Sequence, residues 1–255
     1  MIILALDTTT RAGSAAVLRD GAVLAEVSGD PAVTHGQRLP GELMRVLAQA
    51  EVRIEDVDLF AVAAGPGSFT GLRVGIATVQ GLAMARSRRV VPVSTLDALA
   101  WAAANAAGAA ANAAGAAANA AGAADAAGAA ATADRRIAAW MDAQRGDVSA
   151  ALYTPDGRGT LIAPQSSAPG VVLDRWGVET DITTAVFIGD GAVRYRADVE
   201  GRLGAGVLVT PPPPLARAIG AIAAADPGRS VLPHAVVPIY VRVSDAELAR
   251  ARRAT

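Results

Sequence analysis

Cysteine is missing from the 255 residues, and so is lysine: all 23 basic side chains are arginines. Without thiols there are no disulfides, no thiolate nucleophile and no Cys-ligated zinc. Without lysine there is no Schiff-base chemistry and no phosphate-loop lysine. Histidine is almost absent too, with only His35 and His234. A zinc site takes several ligands, commonly paired at helical spacing, and position 39, one turn beyond His35, is a leucine. The expectation is no metal and no cofactor, with His35 partly exposed near a helix start. Aromatics make up only 4% of the chain, so the 52% apolar content overstates how much large side chain there is to bury. The net charge of −1 argues against holding nucleic acid by bulk electrostatics. Two small clusters, Arg86, Arg88 and Arg89 and then Arg250, Arg252 and Arg253, read as solvated faces rather than RNA contacts. Long hydrophobic runs are lacking outside an alanine tract, which is weakly hydrophobic and interrupted by Asn and Gly, so no membrane span is expected. "MIILALDTTT" has no basic segment and reaches Asp7 too early for a secretory signal, which makes a soluble cytoplasmic protein the expectation.

What the chain does have is a repeat. "NAAGAAA" recurs with Asn105, Asn112 and Asn119 and with Gly108, Gly115 and Gly122, then decays through Asp125 and Gly128. Heptad spacing suggests a coiled coil, but a seam needs large apolar knobs and here there are only methyls. Alanine favours helix while each glycine costs about 1 kcal/mol against it, so a marginal exposed helix or frayed linker is expected. The tract divides the chain into residues 1–98, an insertion at 99–132, and residues 133–255.

The first part has a legible order. "IILALD" suits a buried strand, and "GSAAVLRD" and "GAVLAEVSGD" meet at Asp20-Gly21, a strong hairpin pair. "HGQRLPGELMRVLAQAEV" places Leu39, Leu43, Val46, Leu47 and Ala50 on one helical face, with Pro40 in its first turn. "VDLFAVAAG" reads as strand, Phe69 to Arg86 as helix, and "RRVVPVS" as strand. The resulting β-β-β-α-β-α-β is the unit of the ribonuclease-H-like fold, which actin-like and sugar-kinase-like ATPases carry twice. The second part repeats the theme: "RRIAAWMDAQ", "GDVSAALYTPDG" and "GTLIAP" as a meander, "SAPGVVLDRWGV" as helix, "TAVFIGDGA" as strand, and a helix behind four prolines. "AVVPIYVR" reads as a last strand and "DAELARARRA" as a short helix capped by Asp245. The expected fold is α/β: duplicated ribonuclease-H-like lobes of the actin-like ATPase (ASKHA) type, with mixed sheets flanked by helices.

Two motifs bear on chemistry. Gly65-Pro66-Gly67-Ser68-Phe69-Thr70-Gly71 joins a strand to a helix, a place where free N–H groups attract anions. It lacks the terminal Lys-Ser/Thr of a Walker loop, has the wrong spacing for a dinucleotide fingerprint, and is no Gly-x-Ser-x-Gly elbow, because Pro66 and Thr70 occupy the flanking positions. Close packing is the favoured reading, with Ser68 or Thr70 capping the helix and Gly71, Gly75, Ala77 and Gly81 offering a face to another helix. Asp7-Thr8-Thr9-Thr10 sits where actin-like ATPases place a first phosphate loop, so Asp7, Thr8 and Thr9 are weak nucleotide candidates. An Asx-type turn explains them equally well. The opposing loop is represented only by Asp142–Asp147 and Gly189–Gly191.

"ILALDTTT", "GPGSFTGLRVGIATVQGLA", "MDAQRGDVSAALY", "FIGDGA" and "PIYVR" together resemble the TsaB (YeaZ) family, in the family's order and across both halves. The resemblance implies a non-catalytic subunit that dimerises with the paralogous transferase TsaD and works with the TsaE-type ATPase. That assembly transfers threonylcarbamoyl to N6 of the adenosine beside the anticodon, so tRNA is met through the complex. TsaD carries its metal ligands in a histidine run; here Thr95 and Leu99 stand where imidazoles would be. A glycoprotease-like activity has no HExxH helix to rest on, and an actin-like ATP-binding enzyme is the main alternative. The family's dimer surface lies on the first-lobe helices. The resemblance therefore points to Leu39, Leu43, Leu47, Gly67, Ser68, Phe69, Thr70, Gly71, Arg73, Val74, Gly75 and Thr78 as interface residues. It also makes a homodimer plausible when the partner is absent. On that reading Gly75→Leu should block the partner and leave the isolated chain folded.

Overall fold

The computed structural model describes residues 1–118 and 134–241. Five strands form the first sheet: β1 (Ile2–Asp7), β2 (Ser14–Arg19), β3 (Ala22–Ser28), β4 (Leu59–Gly65) and β5 (Arg89–Ser94), in the order β3-β2-β1-β4-β5. The β1–β2–β3 meander is antiparallel, while β4 and β5 run parallel to β1 and are reached through helices. Asp20 and Gly21 both take positive φ, 52° and 83°, the geometry of a tight two-residue hairpin. Helices α1 (His35–Gln49) and α2 (Phe69–Ala85) lie side by side on one face of this sheet. Their apolar sides meet Leu4, Leu6, Val17, Phe60 and Val62 in an outer core.

A second sheet repeats the plan with β6 (Ile137–Asp142), β7 (Val148–Tyr153), β8 (Thr160–Ser167), β9 (Val186–Ile188) and β10 (Leu208–Thr210), in the order β10-β9-β6-β7-β8. Strand for strand the connectivity matches the first sheet, so the two lobes are ribonuclease-H-like duplicates. Helix α3 (Thr95–Ala118) runs between the lobes and touches both sheets. The second lobe adds α4 (Pro169–Glu179), α5 (Asp190–Arg194) and α6 (Arg196–Leu203). Its outer core holds Trp140 edge-on to Trp176 (6.0 Å) and to Phe187 (5.4 Å).

Beside α3 lies α7 (Ala216–Ala225). Ile3, Leu18, Val91, Leu99, Ile137, Met141 and Ile219 form one shared central core. The alanine tract thus begins as a regular helix through Ala118, and the remainder of the repeat lies outside the described residues.

A boundary that assigns all of 133–255 to the second lobe does not match this packing. Helix α7 lies on β1, β2 and β4 of the first sheet, because its Ala216, Ile219 and Ala223 face the central core. Gly220 meets Leu18 so closely that a Cβ there would strike that side chain. Of "AVVPIYVR", the described residues 235–241 form no strand of either sheet; they follow from a 3-10 turn at Pro233–Ala235 as a strap crossing the first lobe. Val231 bridges Val90, Gln80 Nε2 donates to the carbonyls of Pro233 (2.9 Å) and Val236 (3.2 Å), and Ile239 N–H donates to Ala64 O (2.7 Å). Proline at 233 and 238 leaves the strap without the donors that a ladder would need. The helix expected at "DAELARARRA" and the cluster Arg250, Arg252 and Arg253 lie outside the described residues.

Candidate functional site

The strand-to-helix loop after β4 is where the sequence motifs converge. Ser68 caps α2, its Oγ accepting from Gly71 N–H at 3.2 Å. Ser68 N–H in turn donates to Thr9 O (3.0 Å), which ties the loop to the β1–β2 turn. Asp7, Thr8, Thr9 and Thr10 of that turn are all buried. Asp7 Oδ1 accepts from Thr9 N–H (2.7 Å) and Thr9 Oγ1 (2.6 Å), and Oδ2 accepts from Thr10 Oγ1 (2.6 Å). Thr10 Oγ1 accepts from Gly13 N–H (3.1 Å). This is an Asx-type turn closed on itself.

The inward side of α2 rests on the same turn. A Cβ on Gly71 would collide with Thr8 O, one on Gly75 with Thr8 Oγ1, and one on Gly67 would come within 2.5 Å of Thr9 Cβ. What approaches these glycines is the chain's own β1–β2 turn, which corrects the expectation that Gly71 and Gly75 face a partner.

Asp142 at the end of β6 and Asp190 at the start of α5 stand on the second lobe's side of the cleft. Burial raises the Asp190 carboxyl above its ordinary value, and the charges of Asp142 and Asp7 push the same way. Asp142 N–H donates to Asp190 Oδ1 (2.9 Å), and Arg194 Nη1 donates to Asp142 Oδ2 (2.6 Å). The Thr9 and Thr10 hydroxyls are engaged by Asp7, Asp142 already holds a guanidinium, and Thr8 Oγ1 is buried without a hydrogen-bond partner beneath Gly75 of α2. The turn therefore offers a phosphate no open set of donors. Among the described residues no group of three or more His, Asp or Glu is placed to share a metal ion. Thr95 and Leu99, at the expected imidazole positions, are fully buried in the fold.

Asp7→Ala should therefore act as a folding mutation. It removes the acceptor for three buried donors, each bond to a charged group being worth about 1.5–3 kcal/mol. A loss of about 3 kcal/mol in urea unfolding is expected. A loss below about 1 kcal/mol would leave the turn without its structural role and restore Asp7 as a ligand candidate.

His35 opens α1 half-buried, as its position predicts. Its Nε2 donates to Thr10 O (3.1 Å) and its Nδ1 accepts from Arg38 Nη2 (2.8 Å). Burial, and secondarily the Arg38 charge, hold the ring below the usual histidine range. Arg38 also pairs with buried Glu42 (2.5 Å). This cluster clamps the start of α1 to the β1–β2 turn. His234 is exposed on the strap.

Leu39 and Leu43 are buried in the outer core, with Leu47 and Val74 packed half-buried against it, so these four belong to the lobe's own interior rather than to a docking wall. Thr78 is half-buried and donates to Val74 O (2.8 Å). Ser68, Phe69, Thr70 and Arg73 do face outward. Along α2 the exposed row is Phe69, Arg73, Ala77, Gly81 and Ala85, one residue per turn at a spacing of four. Ala77, Gly81 and Ala85 make it smooth, and nothing lies within 4 Å of a Cβ built on Gly81. Phe69 at the head of the row is 56% exposed, Met84 beside its other end is 62% exposed, and on α1 Met44 is 73% exposed. The basic cluster beyond α2 is internally paired: Arg86 with Glu55, Arg88 with Asp58 (3.9 Å), and Arg89 Nε with Ser230 Oγ (3.0 Å).

The TsaB protein of Escherichia coli, named for tRNA threonylcarbamoyladenosine biosynthesis, is 32% identical over 178 residues, covering 69% of this chain and 66% of that protein. The chain belongs to the TsaB (YeaZ) family. The Bacillus subtilis TsaB protein aligns over 261 residues at 25% identity, covering 97% of this chain and 96% of that one. The structure of YeaZ from Pseudomonas aeruginosa superposes with a TM-score of 0.69 at 27% identity, over 94% of this chain and 99% of that one. The E. coli match spans just under two thirds of that relative's length. Residues 29–153 also match the family described as TsaD, tRNA N6-adenosine threonylcarbamoyltransferase. That stretch contains α1, β4, α2 and β5. Nothing in the sequence marks Met44 and Met84 as exposed; Ala85 closes the four-spaced row on α2, which is legible only once the buried side of that helix is known. No helix among the described residues is long and apolar enough to cross a membrane.

Proposed function

We propose that this chain serves tRNA threonylcarbamoyladenosine biosynthesis as a non-catalytic subunit. It docks a TsaD-type transferase on the outer face of α1 and α2. The carrying observation is the contrast within α2: Gly71 and Gly75 are closed by the chain's own turn, whereas Ala77, Gly81 and Ala85 form an open track beside Met44, Phe69 and Met84. Small residues let a partner helix approach closely, and the methionines and the aromatic supply adaptable apolar area at its edges. The names of the relatives support the pathway. The TsaD-family match over 29–153 supports the partner, since a paralogue carries its own version of the same helix pair.

The engagement of Asp7 by Thr9 and Thr10, and of Asp142 by Arg194, supports the absence of a reaction centre. In this reading a TsaE-type ATPase joins the pair, tRNA is met through the transferase, and the free chain covers the same face by self-association. Affinity purification of the tagged chain from its native cell tests the proposal: the transferase paralogue should come with it in equal amounts. Recovery of the chain without that paralogue, from cells that express it, would overturn the reading.

A further inference from the structure

The strap of residues 231–241 adds an element to the face just described. It follows α7, runs along α2, and passes over the start of that helix. Val236 is buried in the outer core, and Gln80 in the fourth turn of α2 holds the carbonyls of Pro233 and Val236. At its end Ile239 O lies 2.6 Å from where a Cβ on Gly65 would stand, and Gly65 takes φ +113°. Only glycine combines that backbone with that approach. The strap is therefore seated by backbone geometry, while its side chains Val237, Ile239 and Tyr240 remain exposed.

Tyr240 lies against Phe69, ring centroids 6.1 Å apart at 33°, and the Arg73 guanidinium stacks 4.0 Å from the Phe69 ring centroid. The result is a Tyr–Phe–Arg ladder at the head of the smooth α2 row. Such exposed aromatic–arginine groups, held in place before binding, are the side-chain types that carry most of the energy in protein interfaces. Stacking engages the flat face of the guanidinium and leaves its N–H edge free. Arg73 has no acidic partner among the described residues.

We infer that the strap is the third wall of the partner face, with Tyr240 positioning Phe69 and Arg73 to receive a carboxylate from the transferase paralogue. The inference rests on the proposed docking at α1 and α2 and extends it. A protein occupant is favoured over RNA because the neighbouring arginines are internally paired, which leaves no basic track leading to the ladder among the described residues. The paralogue is the occupant on the docking reading above, which the TsaD-family match over residues 29–153 of this chain supports, and a second copy is an outcome of the test.

The test uses the full chain and the purified paralogue, with affinity read by calorimetry and folding by thermal melting. Tyr240→Ser should weaken binding about tenfold or more at an unchanged Tm, and Tyr240→Phe should restore it. Arg73→Glu should weaken binding by at least a similar factor. If Met44→Asp abolishes binding while both Tyr240→Ser and Arg73→Glu bind normally, docking at the helices stands and the strap inference falls. If Met44→Asp is also silent, the docking reading itself falls. Loss of tRNA binding by the isolated Tyr240→Ser chain, or dissociation of a homodimer with the heterodimer intact, would also overturn the inference by assigning the ladder to another partner.

Discussion

Replacing Gly75 with leucine unfolds the first lobe. The glycine lies over Thr8 in the middle of α2, where even a methyl would press on Thr8 Oγ1 and Cβ. Thr8 is fully buried and belongs to the turn that Asp7 closes, so it has nowhere to retreat. Overpacking a rigid core costs about 1–3 kcal/mol for an added methylene or two, and leucine adds a whole isobutyl group against that turn. A loss of about 4 kcal/mol or more is expected, enough to abolish most of the margin of an ordinary domain. Soluble yield and urea unfolding read it directly. A Gly75→Leu chain with wild-type stability would show that this side of α2 does not rest on the β1–β2 turn, and would return Gly75 to the partner face.

At Gly81 the same substitution has the opposite signature. A leucine there meets open space, so the isolated chain keeps its Tm, while the smooth track between Ala77 and Ala85 gains a branched obstacle. Paired with Met44→Asp, which puts a charge on the apolar outer surface of α1, it should reduce transferase affinity about a hundredfold or more. That corresponds to about 2.7 kcal/mol. Calorimetric titration of the folded variants against the paralogue measures the loss. Affinity within about threefold of wild type for both variants would remove α1 and α2 from the interface and leave the docking proposal without a surface.

The different fates of Gly75 and Gly81 show what local pattern can and cannot decide. Helix α1 is strongly two-faced, and its spacing alone groups Leu39, Leu43, Val46 and Leu47. Those residues do share a face, but the lobe's own sheet takes it, because a fold must cover its apolar stripe before a partner can. Helix α2 buries Leu72, Ile76, Val79 and Ala83, but its outer side also carries apolar residues, Phe69, Ala77, Met84 and Ala85, so the contrast between its faces is weak and the inward glycines look the same as the outward ones. The Asp7 turn is ambiguous in sequence for a related reason: aspartate followed by threonines is the composition of both a phosphate loop and a self-closed turn. Only the direction of each hydroxyl separates the two.

Short-range pattern was enough to set the first-lobe strands, the hairpin at Asp20-Gly21, the helical crossovers and hence the duplicated α/β plan. It missed β10 and read "AVVPIYVR" as a strand, because a period or turn within about ten residues does not say which sheet will take the segment. The absence of cysteine and lysine ruled out whole chemistries with no geometry at all. Long-range placement needed the tertiary structure. The return of α7 and the strap to the first sheet, the closure of Gly75 by Thr8 and the meeting of Tyr240 with Phe69 all join residues far apart in the chain. Their energies come from surfaces that exist only after both lobes have packed, and the local sequence carries no record of which surface will be the neighbour.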